Sequence, residues 1–448
     1  MARSFFRSVL ALVLVCSMAL LAGCALPGFL QQGKKEPPKP REPKATTVAL
    51  VVPAGQMASV VNSLTGGARL AAQEQPASSP VKVQVVRMQG NWLQTLAALP
   101  DNAVIGGPVT EAAYRQMKQA GIMDKKVVFA FMAQIDAGDE GTKAWRFFPS
   151  MDDQIDAIVE LAVDRLDLRT MASFGPSDNY ANKATSLLEQ KLASKNVILQ
   201  RIQATGSPDT WGALVKPYVN PTTDEATGAL IPQTPFEAVF LPDSWRRLSS
   251  VHTAFASNGE DRLVMFGTML WGGFNNRGTQ NASQYALVTY PAAYVSSRAP
   301  ASLAKSSYST FWGALGYDFV RFASRMNIKG RPGSSEVSAM ARQAALMNFV
   351  LAPISYDSRG RAKQNLFMVQ PGVAGSTLVD ATALGNARKA AVLRAEERRA
   401  HAAELETTPL GSGEGAGTIQ QPVQTRPTGP IMRTTPHSSH KLSLPGAR

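Results

Sequence analysis

The 448-residue sequence predicts an α/β protein built as two Rossmann-like lobes, each with a parallel sheet. Three observations point there. Short β-branched runs alternate with amphipathic helical stretches from residue 47 to residue 290, the grammar of parallel sheets covered on both faces. Several apolar runs stop at a Gly- or Pro-containing turn. The clearest is residues 104–117 (VIGGPVTEAAYRQM), where a strand ends at Gly106-Gly107-Pro108 and a helix opens after Thr110. Such a turn leaves N–H groups of the helix start facing the crevice at the carboxyl end of the strand, where ligands sit in open α/β sheets. The third observation is bulk composition: 44% hydrophobic and 18% charged residues with 35 glycines describe an ordinary globular protein, long enough for about two or three cores.

Composition also excludes function classes. The formal net charge is +13, but nine of those charges lie in residues 1–46 and 381–448, so the body between is nearly balanced and no nucleic-acid partner is expected. Cys16 and Cys24, the only cysteines, sit near the N-terminus, and of four histidines only His252 falls within the body. Thiolate metal sites and nucleophile–base pairs therefore lack their side chains. No GxxxxGK[ST] phosphate loop occurs. No catalytic residue, metal or cofactor is expected, and the chain does not read as an enzyme.

Residues 1–23 carry Arg3 and Arg7, then an apolar run and small residues, a secretory signal too short to span a bilayer. Residues 24–46 are rich in proline and lysine and read as a semi-extended tether. In the body, strands are expected at residues 48–52, 81–86, 103–105 and 127–131, with helices at 58–70, 92–99 and 111–120 between them. These form the first part of one lobe, residues 47–147. Ser150 and Asp153 stand in capping-box spacing ahead of a helix whose stripe is Ile155, Ile158, Val159, Ala162 and Leu166. Strands at 171–174, 197–202, 238–241 and 263–267, helices between them and a turn-rich insertion at 220–235 make a second lobe, residues 148–287. Residues 288–355 hold a helix at 311–326 whose aromatic stripe reads as core, and a strand at 349–354. Residues 356–380 hold a turn at 356–360 and a strand at 365–369. Residues 381–448 form a tail, helical without a broad apolar face to residue 406 and disordered beyond.

Two resemblances follow from these residues. Leu21-Ala22-Gly23-Cys24 resembles the bacterial lipoprotein signal, which implies lipidation at Cys24 and, with Ala25 next, an outer-membrane rather than inner-membrane anchor. Ile105-Gly106-Gly107-Pro108-Val109-Thr110, Phe148-Pro149-Ser150 with Gln154, Ser177-Asp178-Asn179-Tyr180, Gly316-Tyr317-Asp318 and residues 354–360 resemble, in order and spacing, the type I periplasmic-binding fold of leucine/isoleucine/valine-type solute receptors. That resemblance implies two lobes joined by three crossings and closing around a small ligand, the chain returning to the first lobe over 288–355 and ending in the second over 356–380, with an ABC permease as a partner. Phe240-Leu241-Pro242-Asp243 behind a lipid anchor also resembles the penicillin-binding-protein activator branch, which implies contact with a cell-wall synthase instead.

Under either reading the candidate ligand-binding residues line strand ends: Gln56, Thr110, Glu111 and Gln134 from the first lobe, Ser177, Tyr180, Asp243 and Trp271 from the second. Thr110 and its neighbouring N–H groups would take a polar or anionic group, and Tyr180 and Trp271 would stack on an apolar portion. Phe131-Met132-Ala133-Gln134 and Leu270-Trp271-Gly272-Gly273 stand where the resemblance implies the groups that hold an α-amino acid. They lack the charges such a ligand needs.

Overall fold

In the computed structural model the described residues are 45–55, 57–225, 227–273, 285–372 and 375–407, with side chains described to residue 400. The signal at 1–23, Cys24, most of the tether, Gln56 and the tail beyond 407 lie outside them.

The first strand, β1 (Thr46–Val52), alternates perfectly: Val48, Leu50 and Val52 join one apolar cluster, Ala49 and Val51 the other, so both faces are covered. α1 (Ala58–Gln73) follows, then β2 (Val81–Arg87), α2 (Trp92–Ala97), β3 (Val104–Gly106), α3 (Glu111–Gln119), β4 (Val127–Ala130) and the two-residue β5 (Trp145–Arg146). They build a five-stranded parallel sheet in the order β2-β1-β3-β4-β5. The strand order reverses at β1 and β3, so the carboxyl ends of these two strands flank the crevice.

The chain then enters a second sheet. α4 (Met151–Val159) starts on the expected capping box, with Ser150 Oγ accepting from the Asp153 N–H at 3.0 Å, and runs into a π-helical turn, Glu160–Arg165. β6 (Thr170–Gly175), α5 (Asn179–Ala193), β7 (Ile198–Gln203), α6 (Trp211–Val219), β8 (Thr222–Thr223), β9 (Leu230–Ile231), β10 (Ala238–Phe240), α7 (Leu248–Ala256), β11 (Val264–Phe266) and β12 (Val288–Ala292) follow. The turn-rich insertion is the β8–β9 hairpin. Strands β7-β6-β10-β11-β12 are parallel.

After β12 come α8 (Ala301–Ala304), α9 (Phe311–Met326), α10 (Ser334–Ala344) and the hairpin β13 (Ile354–Tyr356) and β14 (Ala362–Gln364), all packed on the first sheet's core. α9 has the predicted bounds and its aromatic stripe is core: Phe319 and Phe322 are wholly buried. It lies against α1 at backbone contact, where a Cβ on Gly316 would stand 2.0 Å from the Leu64 carbonyl oxygen. β15 (Phe367–Gln370) and β16 (Thr377–Leu378) finally add antiparallel to the second sheet beside β12.

The structure departs from the expected elements in four places. Residues 349–353 are not a strand, because the Val350 and Leu351 N–H groups bond the buried Asp318 carboxylate at 2.8 and 2.7 Å instead of a neighbouring strand. The strand expected at 365–369 starts two residues later, as β15 on the second lobe, and the three residues before the expected start, β14, pair in a separate hairpin on the first. The return to the first lobe comes after Ala292, since β12 is bonded into the second sheet, and the last crossing follows Gln364, since Tyr356 packs in the first core. Finally α11 (Ala381–Thr407) forms as expected but is not free tail over its first turns. Its narrow stripe of Leu384, Ala391 and Ala395 is buried, and Arg388 and Arg398 pair with Glu237 and Asp261 at 2.8 and 3.1 Å.

Candidate functional site

The chain passes between the lobes at 147–150, at 292–293 and at 364–367, and one polar network ties these passages together. Arg146 Nη1 donates to Asp153 Oδ2 at 2.8 Å with both side chains at most 7% exposed. The same oxygen accepts from the Ser150 N–H and hydroxyl at 2.8 and 2.7 Å. Asp153 Oδ1 accepts from the Gln364 N–H at 3.0 Å. Arg146 also donates to the Ala362 carbonyl, Gln364 Nε2 to the Ala352 carbonyl at 2.7 Å, and Ala352 N–H to the Ala293 carbonyl at 2.7 Å. Both oxygens of the buried carboxylate have donors, which is what lets an ion pair sit in a dry crossing. An arginine inside the apolar WRFF run was the sequence signal for this network, and only its capping-box half was read.

Two sheets with parallel cores and three adjacent passages decide the architecture. The chain has the type I periplasmic-binding fold. No protein-family model and no curated protein sequence matches the chain. Among solved structures that share the fold is the C-domain of LpoA from Haemophilus influenzae, a regulator of PBP1A, at TM-score 0.53 and 13% identity over 75% of this chain and 100% of that one. An ABC transporter substrate-binding protein from Desulfitobacterium hafniense in complex with Leu gives TM-score 0.54 and 13% identity over 75% and 100%. The leucine-binding protein LivK from Thermotoga maritima gives 0.51 and 12% over 75% and 98%.

In open α/β sheets ligands sit at the carboxyl ends of the strands, and the candidate residues can be followed there one by one. β3 ends in Gly106, and Gly107 turns at φ +102°, where a Cβ would stand 2.7 Å from the Val51 carbonyl oxygen, so only glycine makes this turn. Thr110 is the N-cap of α3, its hydroxyl accepting from the Ala113 N–H at 3.4 Å. Glu111 points along the exposed helix face to Arg115. Gln134, after β4, reaches across to the second lobe: Lys183 Nζ on α5 donates to its Oε1 at 2.7 Å.

From the second lobe, Ser177 is exposed, and its carbonyl accepts from Asn182 Nδ2 at 3.0 Å, while the neighbouring Asp178 caps α5. The Tyr180 hydroxyl bonds Thr268, and burial pushes its phenol above the ordinary range. Asp243 Oδ1 accepts from the Ser244 N–H at 2.6 Å, and its Oδ2 faces Arg247 Nε at 3.2 Å. The Asp243 carbonyl in turn accepts from Trp271 Nε1 at 2.8 Å.

Trp271 is 1% exposed and packs on Tyr290 with ring centres 6.0 Å apart. It occupies the space over Gly267, where a Cβ would stand 2.2 Å from the indole. The indole is therefore part of the core and not an open stacking platform. The cavity it lines with Gly175, Trp211 and Asp243 measures about 10 Å³, no more than one water's worth. Phe131, in the position where the resemblance implies ligand contacts, is 1% exposed and turned edge-on to Phe319 at 5.0 Å, inside the first lobe.

The structure thus joins Gln134 to α5, Tyr180 to Thr268 and Asp243 to Trp271, and leaves Thr110 and Glu111 with partners on their own helix. Lys183 and Thr268 were missed from sequence: an exposed helical lysine and a threonine at a strand end carry no signal until the lobes are folded together. Among the described residues no group of three or more His, Cys, Asp or Glu is placed to hold a metal ion, and no helix is long and apolar enough to cross a membrane.

Proposed function

We propose that this chain is a non-enzymatic envelope lipoprotein that keeps a solute-receptor fold and acts by protein–protein contact, regulating a cell-wall synthase from the periplasmic side of the outer membrane. The observation that carries the reading is the state of the candidate ligand groups. Apart from Gln56 and the exposed Ser177 hydroxyl, each polar or aromatic group named from sequence is engaged within the protein, and Trp271 is sealed in the core. A receptor for an amino acid holds a charged pair open in its cleft for the ligand's own charges. The lipid-modified Cys24 and the tether of residues 24–46 would hold the lobes off the bilayer, within reach of a partner. The LpoA C-domain, titled a regulator of PBP1A, shares the fold.

Capture of a small polar solute for an ABC permease is the second reading. It is favoured by the starts of α3 and α5, which both stand at the carboxyl ends of strands, β3 and β6. One experiment separates the two. The purified chain is passed over an immobilised bifunctional cell-wall synthase by surface plasmon resonance, and its melting is followed against a panel of amino acids, sugars and peptides. The proposal expects saturable synthase binding and no melting shift. A shift of several degrees with one solute, and no synthase binding, overturns it in favour of the receptor.

A further inference from the structure

Among the described residues the strand β2 lies at one end of the first sheet and pairs only with β1. Thr46 N–H donates to the Pro80 carbonyl, and Met88 N–H to the Val52 carbonyl, both at 2.9 Å, so the even-numbered residues of β2 face β1. By the alternation of a parallel ladder, Val83 and Val85 turn their N–H and C=O groups to the open edge. Natural sheets usually blunt such an edge or cover it with a helix or loop. Here α1 packs in the cluster on one face of the sheet and α2 in the cluster on the other, and the space between them over the edge is a cavity of about 490 Å³.

The walls of this groove are polar and cationic. Asn62 and Arg69 enter from α1, Arg87 from the end of β2, and Gln89 and Asn91 from the turn into α2, with Trp92 beneath. No acidic side chain lines it, and neither arginine has a side-chain partner among the described residues. Two unpaired guanidiniums flanking free strand groups suit carboxylates carried on an extended backbone. The chain's own ends do not fit that description: residues 25–44 carry Lys34, Lys35, Lys39, Arg41 and Lys44 against two glutamates, and residues 408–448 carry four basic residues against Glu414 alone.

We propose that the β2 edge between α1 and α2 is a docking groove for an extended acidic segment of a partner protein, which adds to the first sheet as a sixth strand. The site lies outside the gap between the lobes and does not depend on the function proposed above. Main-chain bonds to Val83 and Val85 supply the register, and Arg69 and Arg87 select acidic side chains.

The test is fluorescence anisotropy of the full chain with a labelled octapeptide alternating Glu with Val and Thr, at low ionic strength. The proposal expects saturable binding that weakens about tenfold or more in the Arg69→Gln/Arg87→Gln variant, while circular dichroism and melting stay unchanged. The same peptide N-methylated at alternate amides, and one with Lys in place of Glu, are expected not to bind. Because these two controls alter only the peptide, they hold even if a variant misfolds. Failure of the first peptide to bind, equal binding of the N-methylated or lysine peptide, or displacement by a free tricarboxylate as effective as by unlabelled peptide overturns the proposal.

Discussion

Asp318 is the sharpest case of one residue shaping its surroundings. Its side chain is wholly buried on α9, accepting from the Val350 and Leu351 N–H groups and from Arg321 Nη1 at 3.1 Å. These bonds turn residues 349–353 away from any strand, and burial nonetheless pushes the carboxyl up to about 6 from its ordinary 3.8. The native state therefore holds more protons than the unfolded chain between those two values. Its contribution to stability is complete below about pH 4, declines as pH rises, and is gone above about pH 6. Asp318→Asn is predicted to remove this slope, so that wild-type minus variant stability falls between pH 4 and pH 6 and is level above. Urea unfolding across that range checks it, and a difference that rises with pH would reverse the sign. The asparagine oxygen can still accept from both N–H groups, and the half-exposed Arg321 can turn aside, so the variant is expected to fold.

Among the elements, the α1–α9 pair and α11 make opposite predictions from sequence. The pair was legible as two helices, yet nothing in its spacing revealed that Gly67 and Gly316 let the backbones touch. A Cβ on Gly67 would stand 1.9 Å from the Gly313 carbonyl oxygen. Gly316→Ala must push helix from helix, and a loss of roughly 1–3 kcal/mol, read by urea unfolding, is expected. α11 was legible as a helix too, but its stripe of Leu384, Ala391 and Ala395 is too narrow and too small for sequence to place it. Its docking comes from partners far along the chain, Glu237 and Asp261. Deleting residues 381–407 is expected to lower the melting temperature, with hydrogen exchange rising in β11 and α7 rather than in the first sheet.

For the molecule as a whole, the alternation of strand and helix carried the two lobes, because each apolar run had to be covered on both faces. The last two passages between lobes were displaced by about five and nine residues, since a strand such as β12 looks the same in sequence whichever sheet accepts it. The candidate gap was legible as strand-end turns, at Gly107, Ser177 and Asp243, but not as a set of closed internal bonds, which depend on how each lobe packs and, for Gln134 and Lys183, on how the lobes meet. Those bonds divide by strength. The exposed Lys183–Gln134 contact is a single hydrogen bond between long side chains, so Lys183→Met should leave melting unchanged while small-angle scattering shows a wider distribution of lobe separations. The buried Arg146–Asp153 pair at the crossings is different. Asp153→Asn would leave the guanidinium facing a neutral amide, with the Glu140 carboxylate at 3.6 Å as its remaining counter-charge, and breaking a buried pair in this way costs up to about 3–5 kcal/mol. Because the same carboxylate holds the Gln364 N–H and the start of α4, the loss is expected to uncouple the lobes. Hydrogen exchange under mild denaturant should then report two transitions, one for each sheet, where the wild type reports one. Replacing both partners with apolar residues of similar size, Arg146→Met with Asp153→Leu, should recover much of the lost stability without restoring the coupling. If the double variant also unfolds in one step, the network serves stability alone and the lobes are joined by their packing.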